Sequence, residues 1–188
     1  MILVLTGIIT EFIYNLPSHA FNAFRYYTLY GGGERCLKQL DQYTDDFVSL
    51  GTFEKGNCRV KNAVRISSFK NTELSGDLTL SCPTALEVGQ YFSDIKAEYV
   101  EHIGTYNCRT ISRSKIMSEH SYGTAIDISE IDGASIKNDW NKNTKKGTIL
   151  SNAHKVACSY FSNVLTPDTD KLHHDHFHFD NGYGRKCF

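Results

Sequence analysis

Four of the eight histidines of this 188-residue chain fall between His173 and His178, in the run His-His-Asp-His-Phe-His-Phe-Asp. Imidazole and carboxylate are the nitrogen and oxygen donors that bind zinc, and this run is dense in both. Successive side chains of a strand point to opposite faces, so His176, His178 and Asp180 share one face and Phe177 and Phe179 the other. One face reads as polar and ligand-bearing, the other as core. A purely structural cluster would bury several imidazoles that all need partners. A solvated metal-scavenging loop would have no use for the alternating phenylalanines.

A second constellation runs Ser118-Glu119-His120-Ser121-Tyr122-Gly123-Thr124-Ala125-Ile126-Asp127. His120 is expected in a loop, and Gly123 lets the backbone turn tightly or approach a neighbour closely. Ala125 and Asp127 then share a strand face, with Ile126 and Ile128 turned to the core. The small Ala125 leaves room beside Asp127 for a metal or a substrate. Alone, the segment reads as a capped loop entering a strand. Taken with the histidine run, it completes a ligand set.

Ser-x-His-x-x-Gly-x-Ala-x-Asp followed downstream by His-x-His resembles the signature of the lysostaphin-type and D-Ala-D-Ala zinc peptidases. Closer still, Tyr106-Asn107-Cys108-Arg109, the Ser-Glu-His segment and His-x-Asp-His-Phe-His-x-Asp resemble the bacterial extensin-like C-terminal domain family. That resemblance runs from about Cys36 to Cys187 and includes all six cysteines. The word extensin carries no function here: plant extensins are proline-rich wall rods, and this chain has three prolines.

The resemblance implies that His120, Asp127 and His178 bind Zn2+, with water in the fourth place, an open arrangement of catalytic type. Zinc would activate that water near neutral pH and polarise a scissile carbonyl. His176 is favoured as general base, because regular alternation places it beside His178. Asp175 is the rival, matching a carboxylate that related peptidases carry three residues before the last ligand. Arg109 matches an arginine that binds substrate carboxylate or transition-state charge, and the other reading is a surface ion pair. Asp180 is placed behind a metal-bound imidazole as its orienting partner. Ser118 is expected to support the loop. The implied activity is hydrolysis of amide bonds in peptidoglycan peptides, as carboxypeptidase or endopeptidase. A non-catalytic, zinc-containing wall-binding or envelope-integrity domain is the alternative, and a metal-free, disulfide-braced interaction domain is a third reading.

These residues need elements to hold them. A short helix is expected through Cys36, Leu37 and Leu40, then two or three short strands between Phe47 and Leu80, with turns at Gly56-Asn57 and Ser75-Gly76-Asp77. Ser81 and Pro83 read as a helix start, and Leu86, Phe92, Ile95 and Tyr99 recur at helical spacing, which predicts a main helix over 82–101. A second helix is predicted over 150–165, stopped by Pro167. Strands are predicted at Ala125–Ile128 and His176–Asp180. The expected class is α+β, a small, mostly antiparallel sheet with packed helices, of the D-Ala-D-Ala peptidase/hedgehog-like zinc peptidase fold that the resemblance implies. Residues 34–188 form the domain. Residues 1–33, ending at Gly31-Gly32-Gly33, form an N-terminal extension.

Composition bounds the partners. Twenty basic and twenty-one acidic residues are interspersed, and no basic block points to nucleic acid. The apolar stretch Ile2–Ile9 is too short for a membrane span. With Ser18-His19-Ala20 it reads as a signal peptide or its remnant, although a basic n-region is missing; otherwise it is a short apolar strand or helix packed on the core. Cys36, Cys58, Cys82, Cys108, Cys158 and Cys187 are spread widely with no Cys-x-x-Cys pair, which fits disulfides and an oxidising compartment; six buried free thiols would be the cytosolic counterpart. A monomer in the periplasm or outside the cell is expected, meeting a cell-wall peptide.

Overall fold

The structure is a computed structural model that describes residues 33–188. The expectations for the extension and signal segment lie outside the described residues, except Gly33, which opens a helix.

That helix, α1, spans Gly33–Leu40 and buries Cys36 and Leu40. Three long strands follow: β1 Phe47–Lys55, β2 Cys58–Phe69 and β3 Thr72–Ser81, paired antiparallel in sequence order. Gly56-Asn57 makes the first turn as expected. Ser75-Gly76-Asp77 does not turn the chain. Ile66 faces Leu78 while Ser68 faces Glu73, so residues 74–77 bulge within β3 and the reversal falls at Lys70-Asn71.

Helix α2, Cys82–Ile95, starts at the expected residue, with Pro83 in the first turn. Ser81 occupies the cap position without capping, because its hydroxyl pairs with that of Thr84 at 3.0 Å. The helix stops at Ile95, short of the expected end at Glu101, since Lys96 adopts a left-handed conformation (φ 55°) that closes the last turn. Lys96 is neither Gly nor Asn, so nothing in the sequence marks the stop. Tyr99 instead opens β4, Tyr99–Gly104, which lies parallel to β3.

Beyond a loop and a 3-10 turn at Glu119–Tyr122 come β5 Ala125–Ile131, the short β6 Ala134–Ser135 and the one-turn helix α3 Ile136–Asp139. Helix α4 spans Lys145–Tyr160, capped by the Thr144 hydroxyl, which accepts the Gly147 amide at 3.1 Å. It ends at Tyr160, well before Pro167, and Val164 and Leu165 belong to strand β7, Asn163–Leu165. A 3-10 turn at Lys171–His173, β8 Phe177–Asp180 and β9 Lys186–Cys187 complete the chain.

The expected fold class is therefore corrected. The strands join one nine-stranded mixed sheet in the order β1-β2-β3-β4-β5-β8-β7-β9, with β6 paired to β5, and helices are few. This is not a small, mostly antiparallel sheet with packed helices, nor the zinc peptidase-like architecture expected with it. Two causes are physical. Helical spacing runs on through segments that end as the strands β4 and β7, and the parallel pairs β3–β4 and β7–β9 join segments that no local pattern links.

Strands β5 and β8 sit side by side, antiparallel, with Asp127 opposite His178 and Ile126 opposite Phe179. Ile126, Ile128, Phe177 and Phe179 are buried in the core, where Tyr91 of α2 has ring contacts with Phe161 and Phe179 at 5.6 Å each. Full burial of such side chains contributes about 1.5–3 kcal/mol each, so this face fixes the register of both strands. The opposite face of the same strands is left for the polar set.

Candidate metal centre

His120 lies in the 3-10 turn, Asp127 on β5 and His178 on β8. Gly123 makes the step from turn to strand possible. Its φ is +66°, and a Cβ there would lie 2.8 Å from Val60 Cγ1 and 2.9 Å from the Ser81 amide nitrogen. Both roles foreseen for this glycine, a tight turn and a close approach, are thus required at once. The Gly123 carbonyl accepts the Ser81 amide at 2.8 Å, tying the turn to the end of β3.

The three side chains converge. Asp127 Oδ2 is 3.1 Å from His120 Nε2, Asp127 Oδ1 is 2.7 Å from His178 Nδ1, and the two imidazole nitrogens are 3.3 Å apart. His120 and Asp127 are 2% and 9% exposed. His120 Nδ1 donates to the Thr105 carbonyl (2.5 Å), which leaves the Nε2 lone pair facing the cluster. His178 Nε2 donates to Asp180 Oδ2 (2.9 Å), which leaves Nδ1 on the same side. Asp180 is itself fixed, since its Oδ1 accepts Asn163 Nδ2 and the Gly182 amide, each at 2.7 Å.

The donor set fits a zinc ion. Zinc–nitrogen and zinc–oxygen bonds near 2.1 Å in a tetrahedral shell put neighbouring donors about 3.4 Å apart, close to the spacing found here. Both imidazoles have their remote nitrogens committed to acceptors, the usual support for metal-bound histidines. Without a cation, a proton takes the central place. Burial alone would depress the His178 imidazole, but the hydrogen bonds to Asp127 and Asp180 outweigh it and push the pKa up to about 10. Burial likewise works to raise the Asp127 carboxyl, and the hydrogen bonds from His120 and His178 hold it far below the usual carboxylate range.

A family model described as Extensin-like protein C-terminus matches residues 34–187. The chain belongs to that family. No curated protein and no solved structure matches it.

In this extensin-like domain the matched range includes all six cysteines, and they form three disulfides: Cys36–Cys82, Cys58–Cys108 and Cys158–Cys187. The second bonds β2 to the loop that leads into the 3-10 turn. That loop is zipped to the turn by Ser121, whose hydroxyl accepts the Arg109 amide (3.1 Å) and donates to the Arg109 carbonyl (2.7 Å). The Ser118 amide donates to the same carbonyl at 3.1 Å, and Ser118 is buried. The Arg109 side chain is exposed. Its guanidinium reaches the Thr110 carbonyl at 3.5 Å, and among the described residues no ion pair or hydrogen bond joins it to the three converging side chains.

His176 and Asp175 are a pair rather than alternatives. Asp175 Oδ1 accepts from His176 Nδ1 at 2.9 Å, and His176 Nε2 stands 3.8 Å from Asp127 Oδ1. His176 precedes β8 instead of lying in it, so its approach to Asp127 comes from the turn and not from strand alternation. His173 lies beside the same cluster: its ring lies 5.3 Å from that of His176 and 5.5 Å from that of His178, and its Nδ1 donates to Asp170 Oδ1 at 2.9 Å. The i, i+3 spacing of Asp170 and His173 at a capped turn could have flagged this dyad. Thr105 and Asn163 could not have been found. One acts through its backbone, and the other reaches Asp180 across neighbouring strands.

Proposed function

We propose that this chain is a zinc-dependent hydrolase of amide bonds in peptidoglycan peptides, acting as carboxypeptidase or endopeptidase and related in mechanism to the zinc peptidases. The observation that carries the reading is the convergence of two imidazole nitrogens and one carboxylate, each backed by a fixed acceptor or strand. His120, Asp127 and His178 would hold the ion. Bound zinc supplies Lewis acidity, activating water near neutral pH and polarising the scissile carbonyl. In this reading the Asp175–His176 dyad takes the proton: Asp175 holds Nδ1–H, and Nε2 of His176 stands 3.8 Å from Asp127 Oδ1. Arg109, exposed on the loop bonded to the 3-10 turn, is free to meet a substrate carboxylate. Three paired disulfides support export to an oxidising compartment, the periplasm or outside the cell. No helix of the described residues is long and apolar enough to cross a membrane.

The second reading is a non-catalytic, zinc-containing wall-binding domain. It is favoured by Asp175, whose carboxylate already engages both His174 and His176. Incubating the zinc-loaded protein with muropeptides and with sacculi, and analysing products by mass spectrometry, separates the two. Released fragments that vanish in His178→Ala support the hydrolase. Binding to sacculi with no cleavage of any peptide supports the binder.

A further inference from the structure

Away from the centre described above, His154, Cys158 and Cys187 bring one imidazole and two sulfurs together, with their donor atoms all within 4.8 Å of one another. His154 and Cys158 are one turn apart on α4, and Cys187 lies on β9. His154 Nε2 is 3.9 Å from Cys158 Sγ and 3.8 Å from Cys187 Sγ. The ring is held edge to face on Trp140 at 5.5 Å, and Trp140 is fixed by its Nε1 donating to Asp168 Oδ2 at 2.8 Å. Burial, opposed by a hydrogen bond to the Phe188 main chain, keeps the imidazole below its ordinary pKa and so neutral near pH 7.

We infer that Cys158, Cys187 and His154 form a redox-gated site for a thiophilic cation, Zn2+ or Cu+, closed while the disulfide stands and opened by a dithiol reductant. The opening step transfers two electrons and two protons from the dithiol to the Cys158–Cys187 bond, giving two thiols and oxidising the reductant to its disulfide. The cation then displaces the two thiol protons, and the neutral imidazole adds its lone pair. In a tetrahedral shell with zinc–sulfur bonds of about 2.3 Å and zinc–nitrogen bonds of about 2.0–2.1 Å, sulfur and nitrogen stand about 3.6 Å apart, near the two spacings observed. The two sulfurs need about 3.8 Å, within reach of side-chain rotation from Cα atoms 5.6 Å apart. Two thiolates and an imidazole favour soft cations over magnesium or calcium. This is also the disulfide a reductant meets first. Cys36 and Cys82 are fully buried, and Cys58 nearly so with its partner Cys108 half-buried, whereas Cys158 is half-buried and Cys187 is the one exposed cysteine of the six.

The test uses the full oxidised chain, a water-soluble phosphine as reductant and Co2+ as probe. Alkylation with peptide mapping identifies which cysteines open, and circular dichroism checks the fold. Opening of Cys158 and Cys187 alone, with the fold kept, is expected to add one cobalt per chain and a thiolate-to-cobalt charge-transfer band. The centre at His120, Asp127 and His178 has no sulfur and cannot produce that band. His154→Ala should weaken this added binding at least about tenfold, since even the outer partners of metal ligands are worth 10–100-fold. Cys158→Ser with Cys187→Ser should abolish the band. A reduced, folded protein without the band overturns the inference, as does prior opening of either other disulfide or unfolding when this one opens.

Discussion

Asp180 decides which nitrogen of His178 is available, because it accepts the Nε2 proton and leaves Nδ1 to the cluster. Asp180→Asn keeps the size of the side chain but weakens that control, and zinc affinity should fall about 10–100-fold, measurable by competition with a chromophoric chelator. His178→Ala should lose the zinc while retaining the circular dichroism of the wild type. The proton on His178 gives a pH signature to the metal-free protein. Its folded pKa, about 10, lies above the ordinary 6.5, raised by Asp127 and Asp180 against the effect of burial. A raised pKa stabilises the fold fully below about 6.5, and that contribution disappears as pH climbs through about 10. Thermal melts of the metal-free chain should therefore decline from neutral to alkaline pH, and in Asp180→Asn the decline should be smaller and end at lower pH. Zinc would have to displace the same proton, so its affinity should rise as pH climbs toward about 10.

At the level of elements, the 3-10 turn carrying His120 depends on a glycine that neither space nor backbone allows to be replaced. Gly123→Val meets Val60 and the Ser81 amide while forcing a β-branched residue to positive φ. Strain of this kind costs about 1–3 kcal/mol, and the clash adds to it, so denaturant melts should show a loss of at least that size. Opening Cys58–Cys108 by a double Cys→Ala change frees the loop that Ser121 zips to the turn, and native disulfides of this kind contribute about 2–5 kcal/mol. Much of the site is legible at this scale. Gly123 announces a turn, the alternation of Ile126, Asp127 and Ile128 announces a two-faced strand, and Phe177 and Phe179 do the same for its neighbour. The start of α2 at Cys82 is also readable, but its end is not, since Lys96 takes a left-handed conformation that its residue type does not signal.

The whole molecule is the scale at which local patterns tell least. The nine-strand order depends on parallel pairings across long separations, such as Asn163 with Lys186, and on β4 joining β3 after a helix. Nothing within a short window of sequence encodes such neighbours, so local reading yields a sheet smaller than the real one. The site is insensitive to that error because Asp127 and His178 sit on β5 and β8 and His120 on the adjoining 3-10 turn, none of which depends on the strands the local reading missed. A ligand that binds only the folded chain stabilises it by about 2.7 kcal/mol at a hundred times its Kd. For a chain of this size that amounts to about 5–10 °C, so zinc should raise the midpoint in differential scanning fluorimetry by that much, and His178→Ala should not respond. Asp127 and His178 meet across 51 residues of chain. A pairing so distant in sequence forms late, after loop closure, and the donors are scattered in the unfolded chain. A zinc ion held there would therefore bind a structure already made: refolding should run at the same speed with or without it, while escape from the native state should slow about a hundredfold under the same saturation.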